Sequence, residues 1–291
     1  MPIMFDIIIN PVSANGGSLK VLKTIESVLK EKNIPYEVHE SKFHGHTIEI
    51  MRELNKKDQL QVILMGGDGT FSEALTGIEN FDSVVVGFIP CGSGNDYAKA
   101  AKIPNEPKVA LDRILANNIG FADFIEMPSR RSINCAGAGM DVDVLVKYDT
   151  VRGLKGKARY YFALFYTLLH LKFHKVRFTI DGITEEKNVF LITVANGTCI
   201  GGGMPISPES DPFDGLFNVV YINEIPKRKV LPLLLKFLKG KHIFEPCTSV
   251  IKANEVKIEI LDEGKVEIDG EVLDQRILEC KLISNKLRIF K

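Results

Sequence analysis

Apolar, β-branched runs that end in glycine-rich loops recur through the first 120 residues. Three such runs, at 3–9, 61–65 and 83–90, are each followed by a loop of this kind and then by a stretch with helical periodicity. Strands this apolar are buried on both faces, as in a parallel sheet covered by crossover helices. A weaker strand at 36–39 and a helix at 47–54 fit the same alternation. The pattern predicts a doubly wound α/β domain over residues 1–124.

The pattern changes after Asp123 to short strands separated by Asp-Gly, Asn-Gly and Glu-Gly turn signals. This spacing is typical of antiparallel hairpins. Two helical segments interrupt it, at about 158–173 and 227–240. We expect a second domain, an antiparallel β-sandwich, over 125–279, and a last strand at about 280–291 that returns to the first domain. An exposed strand edge in this second domain would allow pairing into a homodimer.

Composition and charge exclude several classes of protein. The chain is 45% hydrophobic and 25% charged, as in folded globular proteins, and its Lys+Arg and Asp+Glu counts are equal at 37. A chain without a basic excess is not expected to bind nucleic acid. Its five cysteines have no metal-site spacing and indicate reduced thiols in a cytoplasmic protein. The lipid-like segment 159–173 is shorter than the roughly 20 residues of a spanning helix, so contact with a membrane is expected only at its surface.

The segment Gly66-Gly67-Asp68-Gly69-Thr70 follows the third predicted strand and opens a helix. Ligands of parallel sheets bind at such junctions, where free N–H groups and the helix dipole attract anions. Glycines allow the backbone to approach a phosphate closely. The segment therefore predicts a phosphate site, and the alternative is a simple turn in which Thr70 caps the helix.

Two further loops are expected beside it. The next strand ends in Cys91-Gly92-Ser93-Gly94-Asn95-Asp96, where Asn95 or Asp96 could instead cap a helix. The first strand ends in Asn10-Pro11-Val12-Ser13-Ala14, and Ser41 follows the second strand. Loops at neighbouring strand ends open on one crevice, so Ser93, Asn95 and Asp96 are included among the candidate nucleotide contacts.

These motifs resemble the bacterial diacylglycerol kinase family of soluble lipid kinases, which is related to sphingosine kinases and NAD kinases. The resemblance rests on Asn-Pro-x-Ser, GGDGT and Gly-Ser-Gly-Asn-Asp-Tyr-Ala in the first half. It continues through residues 196–216 and through Ile268-Asp269-Gly270-Glu271. The chain departs from the family at Ala14, where glycine is frequent, and at Ser41 and Ser93, where threonine is common.

The resemblance implies that ATP binds between the two domains and that its γ-phosphate is transferred to a lipid hydroxyl. It implies nucleotide contacts by Asn10, Pro11, Val12, Ser13, Ala14, Ser41, Gly66, Gly67, Asp68, Gly69, Thr70 and Ser93. It further implies a structural Mg²⁺ held by Asp211, Asp214 and the carbonyl of Leu216, with Glu271 as general base. Asp68 is the candidate ligand of the Mg²⁺ that accompanies ATP.

The acceptor expected from the resemblance is diacylglycerol. Two other interpretations stay open: an NAD kinase-like small-molecule kinase, and a nucleotide-binding regulator without turnover. Residues 227–242 combine leucines with lysines and suit either a helix on an anionic membrane or an ordinary core helix.

Overall fold

The computed structural model describes residues 4–154 and 156–291, without the side chains of residues 14, 15, 156 and 157. The part of the predicted first strand before residue 4 therefore lies outside the described residues, as does the side chain of Ala14. The first half alternates strands and helices: β1 (Phe5–Ile9), α1 (Gly17–Glu31), β2 (Tyr36–Glu40), α2 (His46–Leu54), β3 (Leu60–Gly66), α3 (Asp68–Gly77), β4 (Val84–Pro90), α4 (Asp96–Ala100) and α5 (Pro107–Leu115).

The remainder is mostly strand. Its elements are β5 (Ile119–Glu126), β6 (Arg131–Ser132), β7 (Cys135–Gly139), α6 (Met140–Thr150), α7 (Gly156–Leu169), β8 (His174–Ile180), β9 (Ile183–Ala195), β10 (Phe217–Asn223), α8 (Lys227–Phe237), β11 (Thr248–Ala253), β12 (Glu255–Ile260), β13 (Val266–Ile268), β14 (Glu271–Leu273) and β15 (Ile277–Phe290). Helix α6 was not predicted, and α7 and α8 end earlier than expected.

The first four strands form a parallel sheet in the order β2-β1-β3-β4. Helices α1 and α5 pack on one face of this sheet and α2, α3 and α4 on the other. Strands β1, β3 and β4 are buried along nearly their whole length, as their β-branched composition requires. The predicted α/β domain is confirmed.

The second half is antiparallel and continues the same hydrogen-bonded sheet. Strands β7, β9, β8 and β12 follow one another, and β10 pairs with β9. Their inward side chains form one core, while α6, α7 and α8 cover a separate apolar cluster against β9 and β10. The predicted sandwich-like architecture is confirmed.

Strand β15 connects the two regions. Its first half pairs with β12, its length is lined by β5, and Ile289 near its end pairs in parallel with Val86 of β4. Strand β13 pairs with β14 through the turn at Asp269 and Gly270, which have φ values of 49° and 83°. Two left-handed residues are what a tight type I′ hairpin turn requires.

Candidate active site

Three loops lie side by side at the carboxyl edge of the parallel sheet. The Asn10 N–H donates to the Met65 carbonyl at 3.1 Å, and the Cys91 N–H donates to the Gly66 carbonyl at 2.7 Å. The loops after β1, β3 and β4 are therefore joined in the order of their strands. They open on the same edge, as the sequence predicts.

The glycines of these loops have different reasons to be glycine. A Cβ on Gly66 would lie 2.4 Å from Thr70 Oγ1, and a Cβ on Gly92 would lie 2.5 Å from the Gly67 Cα. Both positions are closed to a side chain by the chain itself. A Cβ on Gly69 would meet nothing within 4 Å, and Gly69 does not have a left-handed φ. Of the glycines whose surroundings the structure describes, Gly69 is the only one with this combination.

A cleft of about 680 Å³ lies in front of these loops. Predicted residues from both halves of the chain line it: Asn10, Ser13, Gly67, Gly69, Thr70 and Glu271. The other predicted nucleotide contacts do not line this cleft: Pro11, Val12, Ser41, Gly66, Asp68, Ser93, Asn95 and Asp96. The cleft thus brings the loops after β1 and β3 together with the Glu271 carboxylate from the β13–β14 hairpin.

Thr70 lies in the first turn of α3 and does not cap it, because Gly67 occupies the N-cap position. The Thr70 hydroxyl is 3.5 Å from Asn10 Nδ2, so it connects the loop after β1 with the loop after β3. The Ser41 side chain is buried, and Ser93 is exposed.

Asp68 fixes the loop after β3 to the glycine loop after β4. Its two carboxylate oxygens accept the N–H groups of Asp96 at 2.9 Å and Tyr97 at 3.0 Å, at the start of α4. Burial raises the pKa of Asp68 to about 6, although these two hydrogen bonds lower it, and the charges of Asp96 and Asp269 raise it further. A buried carboxylate with a raised pKa is a common feature of functional sites.

The raised pKa gives a measurable pH dependence. The folded protein holds the Asp68 proton more tightly than the unfolded chain, so this group stabilises the fold below about pH 4 and loses that contribution as pH rises to about 6. Asp68→Asn removes the titration. Relative to this variant, the wild type should lose on the order of 2–3 kcal/mol between pH 4 and pH 7. Urea denaturation at both pH values measures this, and an equal difference at both would contradict it.

Asn95 and Asp96 have partners within the protein. The Asn95 side chain accepts the Gly92 N–H at 2.8 Å and donates to the Gly92 carbonyl at 3.0 Å. These two hydrogen bonds fix the conformation of the loop after β4. Asp96 accepts the Gly202 N–H at 2.7 Å and pairs with Lys99 at 2.8 Å. This loop therefore lies against the triple-glycine segment of the second half, and its contact with nucleotide stays a prediction.

Glu271 begins β14 directly after the hairpin turn and faces the cleft. Its carboxylate lies 2.8 Å from Arg130 Nη1 and 3.2 Å from His44 Nε2. His44 Nδ1 lies 3.1 Å from Glu73 Oε1, which also accepts the Gly45 N–H at 3.0 Å. The carboxylate is thus held from two sides and remains 41% exposed. The sequence indicates for His44 at most a place near the nucleotide, and it does not predict that His44 or Arg130 contacts Glu271, because only the fold brings them together.

Asp269 anchors the hairpin. Its carboxylate accepts hydrogen bonds from the Ser72 hydroxyl, from the Ser132 hydroxyl at 2.8 Å, and from the Asn134 and Cys135 N–H groups at 3.2 and 2.9 Å. Burial raises its pKa, and these four donors lower it. Asp269 therefore ties the turn that presents Glu271 to helix α3, which carries Gly69.

The predicted metal loop lies elsewhere, beside β10. Asp211 and Asp214 accept the N–H groups of Phe213 and Leu216, both at 3.1 Å, and Asp214 also pairs with Lys252 at 2.7 Å. Asp123, which the sequence did not single out, accepts the Gly215 N–H at 2.8 Å.

The chemistry of this loop suits a hard cation, because its donors are all oxygen. Burial raises the pKa of Asp123, and the charges of Asp214 and Asp211 raise it further. A cation would relieve that repulsion. Among the described residues, only Asp6, Glu37 and His39 bring three ligand atoms within 4.8 Å of one another, and Lys57 already pairs with Asp6 at 2.7 Å. The carboxylates of Asp123, Asp211 and Asp214 do not all come this close to one another.

Among the helices of the described residues, none is both long and apolar enough to cross a bilayer.

Comparison with known proteins agrees with this architecture. Residues 5–127 match the family model "Diacylglycerol kinase catalytic domain", and residues 134–291 match "YegS C-terminal NAD kinase beta sandwich-like domain". The diacylglycerol kinase of Bacillus subtilis (strain 168) is 27% identical over 272 residues, covering 91% of this chain and 88% of that protein. YtlR of the same organism, a candidate lipid kinase, is 25% identical over 306 residues and covers 97% of both chains.

A crystal structure of a candidate diacylglycerol kinase from Bacillus anthracis str. Sterne has the same fold, with a TM-score of 0.78. It is 23% identical, and the match covers 99% of this chain and 96% of the other. With both halves of the fold matched in order, the chain belongs to the diacylglycerol kinase family, a family of kinases, as the resemblance in its motifs predicts.

Proposed function

We propose that the protein is an ATP- and Mg²⁺-dependent lipid kinase that phosphorylates diacylglycerol to give phosphatidic acid. The observation that carries this proposal is the shared cleft. Gly69 and Thr70 at the start of α3 and Glu271 from the other half of the chain line the same 680 Å³ volume. Phosphoryl transfer needs this combination, a fixed phosphate and an acceptor hydroxyl beside a base.

The phosphates are proposed to bind at the N-terminus of α3. Its free N–H groups and dipole attract anions, and the hydroxyls of Ser13 and Thr70 and the amide of Asn10 line the same space. Gly69 supports this placement. Since neither φ nor a neighbouring atom requires glycine there, the close approach of a ligand accounts for the missing side chain.

Glu271 is proposed as the general base. The acceptor oxygen bonds to the γ-phosphorus while the bond from that phosphorus to the β–γ bridging oxygen breaks. The hydroxyl proton passes to the Glu271 carboxylate, and ADP leaves. Arg130 and His44 hold the carboxylate in place through contacts of 2.8 and 3.2 Å, so that it meets the acceptor in a fixed orientation.

Mg²⁺ bound with ATP would neutralise charge that develops on the phosphates. Asp68 is the proposed ligand of this ion, and to bind it the carboxylate would have to exchange its hydrogen bonds from the Asp96 and Tyr97 N–H groups, because Asp68 does not line the cleft. Asp211, Asp214 and the Leu216 carbonyl, joined by Asp123, would hold a second ion with a structural role.

The Gly69→Ala variant distinguishes a phosphate-binding loop from a loop that only turns the chain. Alanine should leave the melting temperature unchanged or raise it, because the helix gains up to about 1 kcal/mol in propensity. It should raise the KM for ATP at least about tenfold, because the methyl group occupies phosphate space. Calorimetry and initial rates measure the two effects. Gly92→Ala is the contrasting variant, since its methyl group would strike the Gly67 backbone and should lower the melting temperature. An unchanged KM in a stable Gly69→Ala protein would reject the phosphate site.

Transfer of radiolabel from ATP tests the function itself. Purified protein is incubated with diacylglycerol in anionic vesicles, with an extracted total-lipid mixture, and with NAD. Label in phosphatidic acid supports the proposal. Label in NAD would replace it with the NAD kinase-like alternative. A rise in melting temperature on adding ATP, with no acceptor labelled, would instead indicate a nucleotide-binding regulator.

A further inference from the structure

The candidate cleft contains more acidic than basic groups. Of the described residues that line it, the following carry a carboxylate: Glu73, Asp149, Asp269 and Glu271. The lining residues that can carry a positive charge are His44, Arg130 and Arg131. A bound triphosphate would add further negative charge to this space. Sites of phosphoryl transfer place Arg or Lys beside the phosphates in addition to the metal ion, so one of these cations is expected to have that role.

Arg131 is not available for this role, because its guanidinium holds the C-terminal end of α3. Its Nη1 donates to the carbonyls of Leu75 at 3.0 Å and Ile78 at 2.6 Å. The Arg131 main-chain N–H donates to the Thr76 hydroxyl at 3.0 Å. These contacts join the chain at Arg131, and with it the neighbouring Arg130, to the helix whose N-terminus is the proposed phosphate site.

Most donors of the Arg130 guanidinium are unused. A guanidinium carries several N–H donors in one rigid plane. Among the described residues, the only hydrogen bond of this side chain runs from Nη1 to Glu271 Oε2 at 2.8 Å. The side chain is 18% exposed, so it belongs to the wall of the cleft and does not extend into bulk water. His44, by contrast, contacts carboxylates with both ring nitrogens. Arg130 is therefore the lining cation with free donors for a phosphate.

We propose that Arg130 is a further catalytic residue, which binds the γ-phosphate of ATP while it holds Glu271. This inference rests on the proposed function, because it assigns a second group to the same phosphoryl transfer. Nη1 would stay on the Glu271 carboxylate, and Nε or Nη2 would donate to an oxygen of the transferring phosphoryl group. The rigid guanidinium would fix the base relative to the phosphorus, and its charge would stabilise the charge on the phosphoryl oxygens. Arg130 itself neither gives nor takes a proton.

Nucleotide binding without an acceptor tests the phosphate contact. Isothermal titration calorimetry in Mg²⁺ compares ADP with the β,γ-imido analogue of ATP, which is not hydrolysed. Arg130→Gln should bind the analogue at least about tenfold more weakly than the wild type, the usual loss for a hydrogen bond to a charged group. ADP has no γ-phosphate, so its affinity should stay within about twofold of the wild-type value.

Arg52→Gln is the matched control for binding, since Arg52 pairs with Glu79 at 3.0 Å on an exposed surface outside the cleft. It should bind both nucleotides as the wild type does. Arg130→Lys keeps the charge but offers a single ammonium group, which cannot contact the base and the phosphate in one fixed plane. It should recover part of the affinity for the analogue and leave kcat at least about tenfold below the wild type.

Turnover separates a contact with the phosphoryl group from an effect that acts only through Glu271. In Arg130→Gln, kcat for transfer to diacylglycerol should fall about 10³-fold, the lower end of the contribution of an arginine at a transferring phosphoryl group. Adding Arg130→Gln to Glu271→Gln should lower kcat at least about tenfold further, because the two residues then act on different atoms.

Melting temperatures show that each variant is folded. Equal weakening of ADP and the analogue in Arg130→Gln would overturn the proposal, because the loss would not depend on the γ-phosphate. A double variant with the kcat of Glu271→Gln would also overturn it, since Arg130 would then act only by positioning the base. If the wild type binds the analogue but labels no acceptor, the proposed kinase activity is rejected, and the calorimetry still decides whether Arg130 contacts the γ-phosphate.

Discussion

Glu271→Gln is expected to lower kcat for phosphoryl transfer by about 10²–10⁴-fold, the usual contribution of a positioned general base. Glutamine keeps the length and shape of the side chain and can still accept from Arg130, but it cannot take the proton of the acceptor hydroxyl. The KM for ATP should change little, because the phosphates are proposed to bind at α3. Initial rates at saturating ATP with diacylglycerol in mixed micelles measure the effect.

Glu263→Gln is the matched control, since Glu263 is an exposed glutamate on the turn that precedes β13. It should retain wild-type kcat. A Glu271→Gln enzyme with wild-type turnover would remove Glu271 from the mechanism. A variant whose KM for ATP rises while kcat is unchanged would assign Glu271 to binding instead.

Asp269→Ala is expected to lower the free energy of unfolding by about 3–5 kcal/mol, because it leaves buried hydrogen-bond donors without an acceptor. The lost carboxylate serves two hydroxyls, Ser72 and Ser132, and two main-chain N–H groups. Asp269→Asn should lose less, since one acceptor oxygen remains. Chemical denaturation at pH 7 measures the differences.

Asp274→Ala controls for the removal of a nearby acidic side chain. Its side chain is 92% exposed and pairs only loosely with Lys265, at 3.3 Å, so the change should stay within about 0.5 kcal/mol. If Asp269→Ala were equally mild, water would have to reach all four donors, and the hairpin would not be held as tightly as this network implies.

The parallel half was predictable because its signals are local. Runs of β-branched residues indicate strands β1, β3 and β4, and the glycine-rich loop directly after each run marks where the strand ends. Helix α6 was missed because Val142, Val144 and Val146 alternate as they would in a strand. Packing against β9 and α7 overrides that local preference.

The residues around the candidate base could not be read from the sequence. Arg130 is 141 positions from Glu271, and Ser72 is 197 positions from Asp269. Neither pair leaves a periodic signal. The Asp-Gly of the hairpin reads as an ordinary turn, and only the family resemblance drew attention to the glutamate after it. The turn has ordinary geometry, but its Asp269 also anchors the hairpin to α3, because the fold brings the Ser72 hydroxyl within hydrogen-bond distance of its carboxylate.

The placement of β15 has a consequence for how the molecule is made. Strand β15 follows all the other described strands in the sequence and pairs with both β4 and β5, so a nascent chain that carries only the first half has an incomplete sheet with an open edge. The α/β half is then expected to mature only after β15 has been synthesised, unlike domains that fold one after another during synthesis. A variant truncated before Leu287 would lose the part of β15 that pairs with residues 119–122 of β5 and with Val86 of β4, while the pairing with β12 would remain.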